Sequence, residues 1–182
     1  ANKEMLLLAE ITGAPVVTTI MGKGAIPATH DIYVGNIGIH GSYAANTAIS
    51  KCDVLFAVGT RFNDRITGKI EQFASGAAVV HVDIDAASIS KNIAVDVPIV
   101  ADARMAISKL IEHAKPLEIE TWMEQIREWK RQYPVAMKKD GMTPEKIIQS
   151  VNRTFDSAVI TTDVGQNQLW AAQFLDLNEK RQ

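Results

Sequence analysis

Apolar residues in this chain recur with two spacings, and the spacings alternate along its length. Met5, Leu6, Leu8, Ala9 and Ile11 fall at helical intervals, Gly13 closes that run, and Pro15-Val16-Val17-Thr18-Thr19 reads as a strand. A glycine-rich segment spans 20–41. Ser42 then stands as an N-cap ahead of the helix formers in YAANTAISKC, and an apolar run follows at 53–58. AVVHVDID (78–85) predicts a third strand, 86–90 a short helical turn and PIVA (98–101) a fourth strand, after which Asp102 caps a helix through DARMAISKLIEHA. Strands rich in Val and Ile without polar alternation, separated by helices, predict an α/β fold: a Rossmann-like parallel sheet with helices on both faces.

Pro116 breaks this alternation. EIETWMEQIREWKRQY is an amphipathic helix with Trp122, Ile126, Trp129 and Tyr133 on or near one face, expected to pack on the domain rather than meet a partner. KKDG (138–141) reads as a linker. Thr143 at the N-cap, Pro144 in the first helical position and Glu145 in the first turn then make a strong helix start. A strand AVITTD (158–163), a turn VGQNQ and a helix LWAAQFL are expected after it. The pattern divides the chain into a domain at 1–114, a helix and linker at 115–141, and the start of a second α/β domain at 142–182. Both ends read as cut inside elements, so the chain is expected to be a piece of a longer protein.

Composition narrows the function. Hydrophobic residues make up 47% and charged residues 22% of the 182, the composition of a globular protein with a buried core. The 19 basic and 21 acidic residues leave a charge of -2, so no basic field invites nucleic acid or a membrane surface. No apolar stretch approaches the roughly 20 residues that span a bilayer, and no signal peptide is readable. The single Cys52 excludes an intrachain disulfide framework and reads as a structural thiol in a reducing, cytoplasmic setting.

Ligands of open parallel sheets bind at the carboxyl ends of the strands, and four such ends here are polar or rich in glycine. TTIMGKGAIP (18–27) offers hydroxyls and a backbone that a ligand can approach, yet it lacks the third glycine of the dinucleotide fingerprint and the hydroxyl residue of a Walker motif. In GIHGSYAAN, Gly38 and Gly41 flank His40 ahead of a helix N-terminus that favours phosphate; His40 reads equally as a base, a ring contact or a cap. In GTRFNDRITGK (59–69), Gly59 turns the chain and Arg61 and Arg65 can each grip a phosphate with two donors, the alternative being an internal salt-bridge set with Asp64. VDID supplies Asp83 and Asp85, one of which is expected to accept hydrogen bonds from a ribose or other polyol, and Asp102 repeats the arrangement. Phosphate at 40–65 and hydroxyl or ring contacts at 83–102 suit FAD or NAD. No cluster has metal-ligand spacing, no nucleophile triad is readable, and His30, His81 and His113 read as surface or packing residues, so no catalytic residue and no metal ligand is assigned.

TTIMGKGAIP, GNIGIHGSYAANTAISKCDVLFAVGTRFNDRITGK, VVHVDIDAASISKN and TTDVGQNQLWAAQF, in this order and spacing, resemble the large catalytic subunits of acetolactate synthase (acetohydroxyacid synthase) over essentially the whole chain. The arginine signature is the most specific element. The resemblance implies a central FAD-binding domain with a six-stranded parallel sheet, of which 1–114 is most, followed by the start of a thiamine-diphosphate domain. It implies flavin contacts at Thr19, Ile20 and Met21, at His40, Gly41 and Gly59, at Arg61 and Arg65, and at Asp83, Ile84 and Asp102. It places Asp64 and Arg65 beside the substrate-access channel, and Val164, Gly165, Gln166 and Asn167 against thiamine diphosphate. Asn63 and Asn167 depart from the Asp and His common in that family. The full enzyme would use thiamine diphosphate, Mg2+ and FAD, take 2-keto acids, form a homo-oligomer and dock a regulatory small subunit. The activating glutamate and the metal-binding motif of the family do not occur in these 182 residues, so the piece alone is expected to be inactive. Two other readings stay open: a non-catalytic NAD or FAD module, and another thiamine-diphosphate enzyme such as pyruvate oxidase or glyoxylate carboligase.

Overall fold

The computed structural model describes residues 1–137, 140–178 and 180; Lys138 and Lys139 of the expected linker lie outside the described residues. Helix α1 (Asn2–Thr12) begins without a side-chain cap and stops at Gly13, whose φ of 74° lets its N–H return to the Ala9 carbonyl. Strand β1 (Val16–Thr18) follows. It pairs in parallel with β2 (Tyr33–Asn36), Val16 opposite Tyr33 and Thr18 opposite Asn36. Sequence reading missed β2, because four residues interrupted by Gly35 show no period against a glycine-rich background.

The α/β alternation then runs as expected. Ser42 accepts the Ala45 N–H and starts α2 (Tyr43–Lys51), which leads into β3 (Val54–Val58). A short helix α3 (Asp64–Thr67) precedes β4 (Ala78–Asp83). Strand β5 (Val97–Val100) and helix α4 (Ala103–Ile111), capped by the Asp102 carboxylate on the Met105 N–H, complete the unit. Strands β3, β4 and β5 form a parallel ladder, Val54 opposite Ala78 and Val80 opposite Val97. Among the described residues five strands form two ladders, β1 with β2 and β3–β4–β5, where the resemblance implied a single six-stranded sheet.

Helix α5 (Glu120–Gln132) buries Met123, Ile126 and Trp129 against Val34 of β2 and Ala44, Ala45 and Ala48 of α2. Three alanines on the facing stripe let the helices approach closely, and each large apolar side chain buried here contributes about 1.5–3 kcal/mol. Trp122 packs edge-on to Trp129, centroids 5.4 Å apart. Tyr133 sits beyond the helix, half exposed, with its ring 4.0 Å from that of Tyr43. The aromatic stripe is therefore core over most of its length.

Helix α6 (Pro144–Thr154) begins with Thr143 accepting the Lys146 N–H, and α7 (Gln166–Phe174) docks beside it. The strand expected at 158–163 does not form: Ala158 alone makes a bridge, donating its N–H to the Lys180 carbonyl at 3.2 Å, and Val159 is exposed. A strand pattern becomes a strand only against a ladder partner, and none of the described strands pairs with this segment. Asn36 of β2 ties α7 to the first ladder through its Nδ2 donated to the Ala172 carbonyl at 2.7 Å. Among the described residues no helix is long and apolar enough to cross a membrane.

Candidate functional site

The carboxyl tips of both ladders come together on one edge. Gly59 donates its N–H to the Val82 carbonyl at 2.8 Å and Ala101 to that of Asp83 at 3.1 Å, so each of these strands is held one step past its end. Ile37 does the same for the first ladder, on the Thr18 carbonyl at 2.9 Å. The two sets meet through Arg65, whose carbonyl accepts the Ile39 N–H at 3.0 Å. Gly38 lies against that carbonyl and is clasped by Asn46 of α2, which accepts from its N–H at 2.9 Å and donates to its carbonyl at 3.0 Å.

The arginine loop is pinned by its aromatic residue. Phe62 takes a φ of 48°, uncommon for a bulky side chain, and its ring is buried with Phe73 and His81 edge-on at 5.8 and 5.0 Å. With Phe62 turned inward, Arg61, Asn63, Asp64 and Arg65 are all exposed. Among the described residues neither arginine makes an ion pair, so the alternative of an internal salt-bridge set with Asp64 does not form. Asn92 fixes the loop from outside, donating to the Arg61 carbonyl at 2.8 Å. A Cβ on Gly59 would meet nothing within 4 Å, leaving the backbone there open to a ligand.

The other predicted residues divide by what they already hold. The Thr19 hydroxyl accepts the Gly22 N–H at 3.0 Å and the Ile20 carbonyl that of Lys23 at 3.3 Å, a turn that leaves Met21 90% exposed. Ile39 and Ile84 are also exposed, so apolar surface sits among polar groups at these tips. His40 is exposed, and its carbonyl accepts the Gln173 side-chain N–H at 3.2 Å. Beside Gly41, a cleft of about 420 Å³ opens between Tyr43, Tyr133 and Phe174.

Each acidic candidate has local work. Asp83 accepts the Asp85 N–H at 2.9 Å on one oxygen, and its other oxygen lies 3.8 Å from His81 Nε2. Asp85 accepts from the Ala87 N–H and the Ser88 hydroxyl, and Asp102 caps α4. A carboxylate offers about four lone-pair directions, so all three keep capacity for a ligand hydroxyl. Among the described residues, two buried polar side chains at these tips find no hydrogen-bond partner: Thr60 at Oγ1 and His81 at both ring nitrogens.

Val164, Gly165, Gln166 and Asn167 are exposed at the N-terminal end of α7, whereas Gln173 touches His40 near its other end. About 10 Å of helix separates the two at 1.5 Å per residue. The structure thus brings the candidates at 19–102 to one edge and leaves 164–167 as a separate exposed turn. Sequence reading missed Asn46, Asn92 and Asn36; Asn46 was signalled by standing inside a helix, where asparagine competes with the backbone unless it has another partner.

Burial tunes two groups behind the loop after β1. Lys23 lies 6.0 Å from the centre of the Tyr33 ring, and burial pushes its ammonium below the ordinary lysine range against an opposing pull from Asp176. Burial likewise raises the Tyr33 phenol, while the hydrogen bond with Thr18 opposes the shift.

Parallel ladders with helices around them, whose carboxyl tips carry glycine turns and exposed arginines, define a domain of the Rossmann-like α/β class. The family model described as "Thiamine pyrophosphate enzyme, central domain" matches residues 1–110, and the chain belongs to that family. It is 43% identical to the "Probable acetolactate synthase large subunit" of Methanocaldococcus jannaschii over 96% of this chain and 32% of that protein. It is 38% identical to the "Acetolactate synthase large subunit" of Cyanidium caldarium over 98% of this chain and 32% of that protein, and 38% identical to that of Corynebacterium glutamicum over 100% and 30%. The chain spans about a third of the length of the curated relatives it matches.

Proposed function

We propose that this chain is part of an acetolactate synthase large subunit and that its strand tips bind FAD. The observation that carries the reading is the pair of exposed guanidinium groups, Arg61 and Arg65, without ion partners beside the open backbone of Gly59. Two unpaired cations there suit a diphosphate, to which arginine donates in two-pronged fashion. Exposed Met21, Ile39 and Ile84 suit the flat faces of flavin or adenine rings, and the orphaned Thr60 hydroxyl at the tip of β3 suits a ligand acceptor. In this reading Thr19, Ile20, His40, Gly41, Asp83 and Asp102 complete the flavin contacts, the carboxylates accepting from hydroxyls of the ribityl or ribose chain. Asp64 and Arg65 line the approach of 2-keto acids.

Residues 1–114 act as the flavin domain, 115–141 as helix and linker, and 142–182 as the start of the thiamine-diphosphate domain. Val164, Gly165, Gln166 and Asn167 stand exposed ahead of α7, whose N-terminal N–H groups face outward without a side-chain cap, a setting that suits the diphosphate of that cofactor with its Mg2+. When bound, thiamine diphosphate supplies the carbon nucleophile that decarboxylates pyruvate and joins it to a second 2-keto acid to give a 2-acetohydroxy acid. This chain's contribution is to bind and orient: the arginines hold phosphate, and the loops around Gly38 and Gly59 hold the ligand edge. A homo-oligomer, a regulatory small subunit and a cytoplasmic setting go with the proposal.

The test uses the intact protein. Purified material is expected to carry a flavin absorbance spectrum and to form acetolactate from pyruvate only with thiamine diphosphate and Mg2+, while an isolated 182-residue piece forms none. NAD binding without flavin would replace the reading with a non-catalytic nucleotide module; flavin with another product from pyruvate would move it to a different thiamine-diphosphate enzyme.

A further inference from the structure

His81 is among the most deeply buried side chains of the protein, 0% exposed, and neither ring nitrogen has a hydrogen-bond partner among the described residues. A buried imidazole with no partner is unfavourable, since both its donor and its acceptor have lost water. A core that needed only volume here would be served by an apolar residue. His81 has two neighbours that matter. Its ring meets the edge of Phe62, the anchor of the arginine loop, with centroids 5.0 Å apart. Its Nε2 faces Asp83 Oδ2 at 3.8 Å, just outside bonding distance, while Asp83 Oδ1 is held by the Asp85 N–H.

We infer that His81 is a positioning residue: from inside the sheet it aims the Asp83 carboxylate at the ligand edge and couples that carboxylate to the arginine loop through Phe62. With the proton on Nε2, a small inward movement of Asp83 completes an N–H···O bond and leaves the remaining lone pairs of Oδ2 directed outward. Imidazole and carboxylate then form one unit, in the way that second-layer groups orient the ligands of a site. The same ring supports Phe62, so Arg61 and Arg65 on one side and Asp83 on the other are held at a fixed separation. That separation is what a dinucleotide needs between its phosphate and its polyol. The inference rests on the proposal that these tips take FAD.

The experiment has two arms, both on the intact protein. The first is a double-mutant cycle without added flavin, using His81→Leu, Asp83→Asn and the double variant, read as unfolding constants in denaturant. A coupling of at least five-fold between the two positions is expected, and additive effects would overturn the inference. The second measures FAD dissociation constants of wild type, His81→Leu and His81→Gln. His81→Leu is expected to keep the melting temperature of the flavin-free protein and to weaken FAD at least ten-fold. His81→Gln, which returns a donor near Asp83, is expected to come back to within about three-fold of wild type. Leucine binding FAD as tightly as histidine, or glutamine failing to restore affinity while both variants melt earlier, would leave His81 a packing residue. If wild type takes no FAD at all, the functional reading falls, and the first arm still decides whether histidine and aspartate act as a pair.

Discussion

A β-carbon on Gly38 would stand 2.4 Å from the carbonyl oxygen of Arg65, so the loop after β2 and the arginine loop after β3 are packed backbone to backbone. This contact turns two strand tips from different ladders into one surface. Gly38 also takes a φ of 101°, and the Asn46 side chain holds both its N–H and its carbonyl. Gly38→Ala combines a backbone clash with a strained dihedral and is expected to cost about 2–4 kcal/mol in denaturant unfolding. Gly59→Ala is the control: its φ is 60° but the space is open, so only the left-handed conformation is penalised, at about 1–2 kcal/mol. Equal costs at the two positions would show that the loops are not wedged together.

The unpaired arginines predict a separation of stability from binding. Arg61→Ala and Arg65→Ala shorten exposed side chains that make no ion pair among the described residues, so unfolding free energies are expected to stay within about 0.5 kcal/mol of wild type. Flavin affinity should fall ten- to a hundred-fold for each, because a charge-assisted hydrogen bond contributes about 1.5–3 kcal/mol. Lysine at either position should recover only part, since it lacks the planar fork. Titration of flavin fluorescence alongside thermal melts reads both quantities.

Asn63 stands where the resemblance implies an aspartate, and the structure limits what that difference does. Its side chain is exposed and makes no capping hydrogen bond; its carbonyl carries the first turn of α3 by accepting the Ile66 and Thr67 N–H groups. Asn63→Asp therefore adds a screened surface charge without moving the arginines, and flavin affinity is expected to change by no more than a few-fold. A hundred-fold change would mean that residue 63 contacts the ligand directly.

How much of this was readable beforehand depends on the length scale of each signal. Elements with several turns or an uninterrupted apolar run were legible: Gly13, Ser42, Asp102 and Thr143 mark helix ends in the sequence and do so in the fold. Strand β2 was not, because its four residues gain their identity from the ladder with β1 rather than from a period. The segment at 158–163 failed in the opposite direction, carrying a strand pattern with no ladder to join among the described residues. The site residues were legible as strand ends and Asp102 as a helix cap, but Asp85 turned out to cap a local turn, and Asn92 and Phe62, which brace the surface, were invisible because their roles depend on contacts distant in sequence.

Cys52 gives a prediction about alkaline stability. Its thiol donates to the Ile49 carbonyl at 3.2 Å, and burial pushes its pKa above the ordinary 9.0, with a hydrogen bond from its own backbone N–H opposing and Asp53 adding to the rise. A group whose folded pKa is raised favours the folded state while pH is below its unfolded value, and that stability is lost as pH rises through the folded value. The difference in melting temperature between wild type and Cys52→Ala should therefore be constant up to about pH 9 and shrink above it. A difference that grows with alkali would mean that the thiolate is stabilised in the fold.

Asn36 joins the first ladder to the C-terminal helix, and its removal tests whether the two parts unfold together. Its Oδ1 accepts from the Thr18 hydroxyl at 2.8 Å and the Tyr33 hydroxyl at 3.0 Å, and its Nδ2 donates to the Ala172 carbonyl, all in buried surroundings. Asn36→Leu fills similar volume but strands the Ala172 carbonyl and leaves the two hydroxyls only each other, at 3.2 Å. Leaving a buried polar group unsatisfied costs about 1–3 kcal/mol, so a total of roughly 2–4 kcal/mol is expected in the intact protein. Hydrogen exchange decides where that cost falls. If the amide locks α7 to the sheet, protection across 166–174 should drop more than protection across β3–β4–β5, because local opening then precedes global unfolding. Uniform loss over both regions would mean that Asn36 supports the first ladder alone and that α7 is held by its apolar contacts at Ala172 and Leu175.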